Sequence, residues 1–373
     1  MSRFIHQFSD WPQFSWDSAV LLPMLGRVRN MQGGLIAKMA GLGFDLRQEA
    51  VLDTLTLDVI KSTEIEGEFL QTDQVRSSLA RQLGMDVGGL VPSDRDVDGV
   101  VEMIIDATRA YAAPLTIERL FGWQAALFPS GRSGMYTIAV GQWRKDEKGP
   151  MQVVSGSLGN EKIHFQAPDA AKLSEEMALF LAWFNDTQAL DPVIKAGIAH
   201  LWFITIHPFD DGNGRIARAI TDLQLARAEL TAQRFYSMSA QIRLQRKAYY
   251  DVLEKTQRGN LDITEWLCWF LSCLESGLLA TQSTLKKVLD KAQFWETYAT
   301  TILNKRQILL LNKLLDTFEG NLTSDKWAKI AKCSQDSAQR DIQDLLAKGI
   351  LEKLPSGGRS TAYILKMPPD MEG

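Results

Sequence analysis

The run His207-Pro208-Phe209-Asp210-Asp211-Gly212-Asn213-Gly214-Arg215-Ile216-Ala217-Arg218 constrains this chain most, because it sets a base, a carboxylate, a glycine turn and two arginines in one unbroken stretch. Pro208 disfavours helical backbone at His207. The apolar run Ile198, Leu201, Trp202, Ile204, Thr205, Ile206 is therefore expected to end as a helix where the imidazole begins. Gly212 and Gly214 allow a close backbone approach, and their amides can turn inward as an anion-binding nest. Ile216, Ile220 and Leu223 then recur at helical spacing, so a second helix is expected from near Gly214, its free amides aimed at the same nest.

Arg215 and Arg218 fall three apart, on neighbouring turns of that helix start. Cations there oppose the helix dipole, which favours acidic groups at an N-terminus. The mismatch is resolved if an anion sits between them, and a polyphosphate is the expected guest. A histidine after an apolar helix is most often structural, and a Gly-Asn-Gly turn alone is most often a turn. It is the combination, in this order, that points to a nucleotide site. The loop is not a GxxxxGK[ST] phosphate loop, since Arg215 follows the glycines where that pattern needs a lysine.

The segment resembles the signature of the Fic family, HxFx(D/E)GNGRxxR, at each specified position. The resemblance implies transfer of the AMP moiety of ATP to a hydroxyl side chain of a target protein, with release of pyrophosphate. It makes His207 the general base, a role suited to an ordinary histidine pKa of about 6.5. It gives Asp211 to Mg²⁺ against the phosphates, Gly212, Asn213 and Gly214 to the α and β phosphates, and Arg215 and Arg218 to the β and γ groups. Catalysis of this kind is largely positioning and charge stabilisation.

Upstream, Lys61-Ser62-Thr63-Glu64-Ile65-Glu66-Gly67 resembles the family's inhibitory-helix motif, (S/T)xxxE(G/N), with Ser62, Glu66 and Gly67 on its specified positions. Ser62 and Glu66 share a helix face, and Gly67 suits a helix C-terminus. The resemblance implies that Glu66 pairs with Arg218 and obstructs the γ-phosphate, as a carboxylate in a bidentate arginine site would. By itself so short a motif also reads as a solvated glutamate at a helix end.

Gly141-Gln142-Trp143-Arg144, Met151 to Gly156 and Ile163 to Pro168 read as a β-hairpin, apolar residues flanking a Gly/Ser/Asn-rich turn. Similar proteins carry a flap there that holds the target chain by strand addition, which implies that Ile163, His164 and Phe165 face target or nucleotide. Tyr249, Tyr250 and Gln257 fall where relatives place the adenine pocket, although an aromatic pair in a helix is more often core. His6 and His200 read as structural.

With 373 residues the chain is expected to form two or three domains. Its 41 Lys/Arg and 45 Asp/Glu give a formal net charge of −4, so it offers nucleic acid no general attractive field. Cys268, Cys273 and Cys333 lack CxxC spacing, which suggests neither disulfides nor zinc. The N-terminus lacks a basic-then-apolar pattern, and the run Ala178 to Phe184 is too short to cross a bilayer. A cytoplasmic protein with no membrane partner is expected.

The expected fold is mainly α: a Fic-type helical core with a small β-hairpin flap, and a C-terminal winged helix-turn-helix-like domain. Residues 1–90 read as an N-terminal helical region carrying the inhibitory helix, with Gly88 to Ser93 as a loop at its end. Residues 91–280 read as the core, 281–320 as a helical connector and 321–373 as the winged-helix-like domain. In the last, Thr323 and Ser334 start helices, Lys348-Gly349 ends the second, and Leu351 to Leu354 and Thr361 to Leu365 flank a glycine turn. The helix from Ser334 to Leu346 would be its recognition helix. Asn321 to Leu365 holds seven Lys/Arg and five Asp/Glu, a thin footprint for DNA, so Arg340, Lys348 and Arg359 could equally serve a protein-docking or dimerisation surface.

Three readings stay open. One is a protein adenylyltransferase using ATP and Mg²⁺, restrained by Glu66, acting on a Ser, Thr or Tyr hydroxyl of a target or of itself. The second is a DNA-binding regulator whose core senses nucleotide. The third is the reverse reaction, removal of AMP. A homo-oligomer is compatible with each, and an intact His207 and Asp211 favour the enzyme.

Overall fold

The computed structural model describes residues 4–85, 90–147, 149–155, 162–187, 190–316, 318, 320–354 and 361–366. The chain forms two compact units, Met1–Thr281 and Gln282–Gly373. The first holds α1 (Ser18–Ala40), α2 (Phe44–Ile65), α3 (Thr72–Leu83), α4 (Arg95–Arg109) and α5 (Ile117–Leu127). Two short antiparallel hairpins follow, β1 (Arg132–Ser133) with β2 (Tyr136–Thr137) and β3 (Gln152–Ser155) with β4 (Lys162–Gln166). Then come α6 (Leu173–Asn185), α7 (Pro192–Ile206), α8 (Asn213–Glu229), α9 (Met238–Leu244), α10 (Arg246–Gln257) and α11 (Thr264–Thr297), the last of which runs past the unit boundary.

The centre of the first unit is the pair α7 and α8. Pro192 opens α7 at a position where a missing N–H costs nothing, and the Asp191 side chain accepts from Val193 N and Ile194 N. From Val193 to Ile206 every residue of α7 is buried, as expected for a helix that is apolar all round. Each large side chain withdrawn there contributes about 1.5–3 kcal/mol of transfer free energy. Helix α4 meets α5 at Gly99, where a Cβ would fall on the Ala126 carbonyl. The Trp266 indole of α11 donates to Gly197 O of α7 at 2.8 Å.

The N-terminal region follows the sequence pattern, and the flap departs from it. Helical pattern in the N-terminal region continues to Leu83, and Leu90 to Ser93 carries no element, while Gly88 and Gly89 lie outside the described residues. The flap is confined to β3 and β4; Gly141 to Arg144 is loop, because Gly141 (φ 66) donates its N–H to Gln124 Oε1 and the Arg144 side chain turns inward. The turn of the flap, 156–161, lies outside the described residues.

The second unit contains α12 (Lys305–Asp316), α13 (Ser324–Ile330), α14 (Gln335–Ala347) and the antiparallel pair β5 (Leu351–Lys353) and β6 (Tyr363–Leu365). The side chains of Thr323 and Ser334 cap α13 and α14 by accepting from Lys326 N and Ser337 N, and Gly349 (φ 69) follows α14. Residues expected as a connector belong to this unit's core: Phe294, Leu310 and Leu311 cluster with Trp327, Ile342 and Leu345. Of the three cations offered for phosphate contacts, Arg340 is exposed, Lys348 donates to Ile302 O at 2.8 Å, and Arg359 lies outside the described residues. Cys268, Cys273 and Cys333 are unpaired, and among the described residues no helix is long and apolar enough to cross a membrane.

Candidate active site

Helix α7 stops at Ile206, and His207 caps it in the left-handed region (φ 51, ψ 58). Its ring Nδ1 lies 3.2 Å from Ile204 O. A carbonyl can only accept, so Nδ1 carries the proton and Nε2 keeps its lone pair. Burial, with a smaller contribution from Arg144, pushes the imidazole pKa down to about 4, against the opposing hydrogen bond to the Ile204 carbonyl and the charges of Asp211 and Glu66. His207 is thus a neutral base at ordinary pH, on the wall of a cavity of about 480 Å³, within the size range of ligand pockets.

The loop after it is held by its own side chains. Phe209 is buried against Trp143 at 5.1 Å and Phe203 at 6.4 Å between ring centres. Asp210 Oδ2 accepts from Ala139 N at 2.8 Å. The Asn213 amide clasps Phe209 from both ends, donating to its carbonyl at 2.8 Å and accepting from its N–H at 3.0 Å. Asn213 therefore shapes the turn with its side chain and has only its backbone to offer an anion. Asp211 faces the cavity; its carboxylate accepts from Gly212 N at 2.6 Å and from the Ser133 hydroxyl.

Helix α8 begins at Asn213, after Gly212 (φ 89). Across from its first turn, Glu66 caps the C-terminus of α2 and Gly67 (φ 88) turns the chain away. Arg218 is 2% exposed and donates from Nη2 to Glu66 Oε1 at 2.7 Å, from Nε to Ser62 Oγ at 2.8 Å and from Nη2 to Ser62 O at 2.8 Å. Burial lowers the guanidinium pKa, but the Glu66 charge and hydrogen bond, with Tyr249 and Tyr250 nearby, together more than offset it, and the net shift is upward. A Cβ on Gly214 would collide with Glu66 Oε1. The carboxylate therefore lies on the bare first turn of α8, where an anion is electrostatically favoured.

Arg215 departs from expectation. It does not line the cavity; its Nη1 donates to Glu68 Oε2 at 2.8 Å and its guanidinium sits 5.0 Å from the Phe128 ring centre. The anions that two guanidiniums at a helix start call for are supplied by this chain, Glu66 for Arg218 and Glu68 for Arg215.

Tyr249, Tyr250 and Gln257 all border the cavity from α10. The Tyr249 hydroxyl is spent on His200 Nε2 at 2.9 Å, and Gln257 donates to Thr205 Oγ1 at 3.2 Å. The Tyr250 ring is half-exposed, with Arg246 5.1 Å above it. In the flap, Ile163 is exposed but does not line the cavity, His164 lines it, and Phe165 both borders it and is buried against Phe4 and Ala167. Phe165 is thus an anchor of the flap, its ring 5.2 Å from that of Phe4.

Several contributors carry no mark in the sequence motifs. Glu254 Oε2 lies 2.6 Å from His164 Nδ1, Arg246 Nε donates to Ile65 O at 2.8 Å, and Ser133 and Glu68 engage Asp211 and Arg215. Arg246, Tyr250, Leu253, Glu254 and Gln257 lie at helical spacing on one face of α10, and that periodicity could have found the first and fourth. Ser133 and Glu68 belong to no such pattern.

Among the described residues no group of three or more His, Cys, Asp and Glu forms a metal cage. The Asp211 carboxylate, on the cavity wall beside the N-terminus of α8, nevertheless suits Mg²⁺, which keeps waters and phosphate oxygens as its other ligands.

Comparison with known proteins accords with this geometry. A family model described as a domain of unknown function (DUF4172) matches residues 4–85, and the Fic/DOC family model matches residues 114–225. The chain is 45% identical over 56 residues to a protein adenylyltransferase fic-1 of Caenorhabditis briggsae, covering 14% of this chain and 11% of that protein. It is 31% identical over 122 residues to a uridine 5'-monophosphate transferase of Xanthomonas campestris, covering 31% and 22%. With a protein adenylyltransferase Fic of Drosophila mojavensis it shares 26% identity over 225 residues, covering 59% and 40%. The chain thus spans between 11% and 40% of the length of these relatives. A Fic family protein from Desulfovibrio desulfuricans G20 has the same fold, with a TM-score of 0.54 and 20% identity over 95% of this chain and 98% of that one. The signature loop between α7 and α8 lies inside residues 114–225, the part of this chain that matches the Fic/DOC family.

Proposed function

We propose that this chain is a protein adenylyltransferase that transfers AMP from ATP to a Ser, Thr or Tyr hydroxyl of a target protein, itself included, and that Glu66 restrains it. The observation that carries the reading is the Glu66 carboxylate, gripped by Arg218 and laid on the first turn of α8, in the same cleft as a histidine with a free ring lone pair.

In the reaction the hydroxyl oxygen attacks the α-phosphorus, its proton passes to His207 Nε2, and the bond between the α-phosphorus and the bridging oxygen breaks to release pyrophosphate. The first-turn amides of α8, at Asn213 and Gly214, would receive phosphate oxygens. Arg218, once free of Glu66, would pair with the terminal phosphates. Mg²⁺, held by Asp211 and the phosphates, would neutralise charge on the leaving group. Tyr250 and the Val153 to Ser155 edge of the flap line the remainder of the cavity, where base and target would lie. In this reading residues 4–85, the stretch matched by a domain of unknown function, supply the inhibitor of the catalytic loop.

The test incubates wild type, Glu66→Gly and Glu66→Gly/His207→Ala with Mg²⁺ and α-labelled ATP or UTP, and measures protein-bound label by intact mass. UTP is included because one relative is named a uridine 5'-monophosphate transferase. Label that rises in Glu66→Gly and vanishes with His207 supports the reading, and the heavier mass identifies the nucleotide. No label with either nucleotide sinks it in favour of AMP removal or nucleotide sensing.

A further inference from the structure

We propose that Arg144 is a positioning residue for His207, holding the carbonyl of the turn that presents the imidazole to the cleft. The inference rests on the reading of His207 as the base. His207 occupies a left-handed backbone conformation (φ 51) that residues with a Cβ adopt rarely and that persists only where the surroundings impose it.

Arg144 is what imposes it. Its Nε donates to His207 O at 2.8 Å and its backbone N–H donates to Pro208 O at 2.9 Å, so one residue grips two successive carbonyls at the turn. Its other two nitrogens are anchored elsewhere: Nη1 donates to Asp146 Oδ1 at 2.6 Å and Nη2 to Pro168 O at 2.5 Å. Asp146 is braced in turn, its Oδ2 accepting from Ala170 N at 2.6 Å. The side chain is 1% exposed, and its planar fork meets three acceptors from three segments at once. A lysine could not do so from one ammonium. Ala139 N on Asp210 makes a second tie between the same strand of loop and the signature turn. Arg144 reaches no cavity-lining position, so it acts through His207.

The test places Arg144→Met and Arg144→Lys in the Glu66→Gly protein. It measures kcat and KM for ATP, and reads the ¹⁵N shifts of the His207 ring, identified among the four histidines by its loss in His207→Ala. The expected result for Arg144→Met is a fall in kcat of about 100-fold with KM for ATP within about threefold. Its ring shifts should move from the Nδ1–H form toward a mixture as the Ile204 bond loosens. Arg144→Lys should fall between this and the parent. A folded Arg144→Met protein with unchanged kcat, or with unchanged ring shifts, overturns the proposal.

If Arg144→Met does not fold, Asp146→Asn serves instead. It leaves the bond to His207 but loosens its brace, so kcat should fall about 3- to 10-fold with the same direction of ring shift; no change in either overturns the proposal. If the Glu66→Gly parent transfers nothing, the reading of His207 as base fails, while the ring shifts still decide whether Arg144 positions it.

Discussion

Arg218 touches Ser62 twice, through Nε to the hydroxyl and through Nη2 to the backbone carbonyl, both at 2.8 Å. The guanidinium is thereby tied to α2 by two bonds besides the one to Glu66. Ser62→Ala removes the hydroxyl bond and leaves a buried Nε–H unsatisfied, which loosens Arg218 while its bonds to the residue-62 carbonyl and to Glu66 remain. The expected effect is partial activation, an initial rate of label incorporation about 3- to 10-fold above wild type and below that of Glu66→Gly, from the loss of one bond to a charged donor worth about 1.5–3 kcal/mol at most. A rate equal to wild type would make Ser62 a bystander.

Gly214 is predicted to be intolerant of even a methyl group for two separable reasons. In wild type a Cβ there would strike Glu66 Oε1. In Glu66→Gly the carboxylate is gone, so any remaining defect belongs to the phosphate that takes its place. Gly214→Ala in that background should weaken ATP binding about 10-fold by calorimetry, since an amide nest accepts an anion only at close backbone approach. Unchanged affinity would place the phosphates elsewhere.

The course of residues 192–229 is legible in the sequence because its determinants are local: Pro208, two glycines and apolar residues at helical spacing lie within one loop and its flanking turns. Ser62 and Glu66 are legible for the same reason, as a short motif at a helix end. The partners that organise the loop are not. Arg144 is 63 residues from His207, Ser133 is 78 from Asp211 and Glu68 is 147 from Arg215. None of these pairs leaves a period or a motif. Arg215 illustrates the consequence, since the argument that two cations at a helix start need an anion holds, but its anion is a side chain from a distant helix end. Asn213 illustrates a second limit, because only the folded loop shows its amide already engaged on Phe209.

The pH dependence of transfer should reveal the lowered pKa of His207. The base is competent when neutral, and with its pKa pushed down to about 4 it stays neutral far below the usual histidine range. In Glu66→Gly the loss of a carboxylate that raises the pKa moves it in the same direction. The acidic limb of kcat/KM, which reports the free enzyme, should therefore fall below pH 5.5. A midpoint near 6.5 would show a solvated imidazole and contradict the buried placement.

His200 predicts a pH dependence of stability. It is buried between Thr221 and Tyr249; the Thr221 hydroxyl donates to Ala217 O, so it accepts from His200 Nδ1, and Nε2 accepts from Tyr249. Burial pushes the His200 pKa down to about 3. The unfolded chain takes up this proton below about pH 6.5 and the folded chain does not, so stability is complete above 6.5 and declines as pH falls toward 3. Between pH 7.5 and 5.5 one such group removes about 1.4 kcal/mol. Urea unfolding followed by tryptophan fluorescence, to which Trp266 contributes with its ring 5.5 Å from His200, should show a loss that His200→Gln reduces by about that amount. An identical loss in the variant would assign it to other groups.

The flap offers a prediction that separates target from nucleotide. Arg258 of the turn after α10 donates from Nε to His164 O at 2.9 Å and from Nη2 to Ile163 O, and its guanidinium lies 5.3 Å from the Phe4 ring centre. It takes two successive carbonyls in the first half of β4 and so ties that strand to the end of α10. An incoming strand therefore has the other member of the hairpin, β3, as its edge, where Val153 and Val154 are exposed. Arg258→Gln keeps a hydrogen-bonding side chain but loses the fork and the charge, so the hairpin should loosen against α10 without disturbing the signature loop. KM for a protein target should rise about 10-fold, while ATP affinity measured by calorimetry should stay within about twofold, because strand addition depends on a preorganised edge and phosphate binding does not. Equal losses for both ligands would mean that the flap closes over the nucleotide and serves it as much as the target.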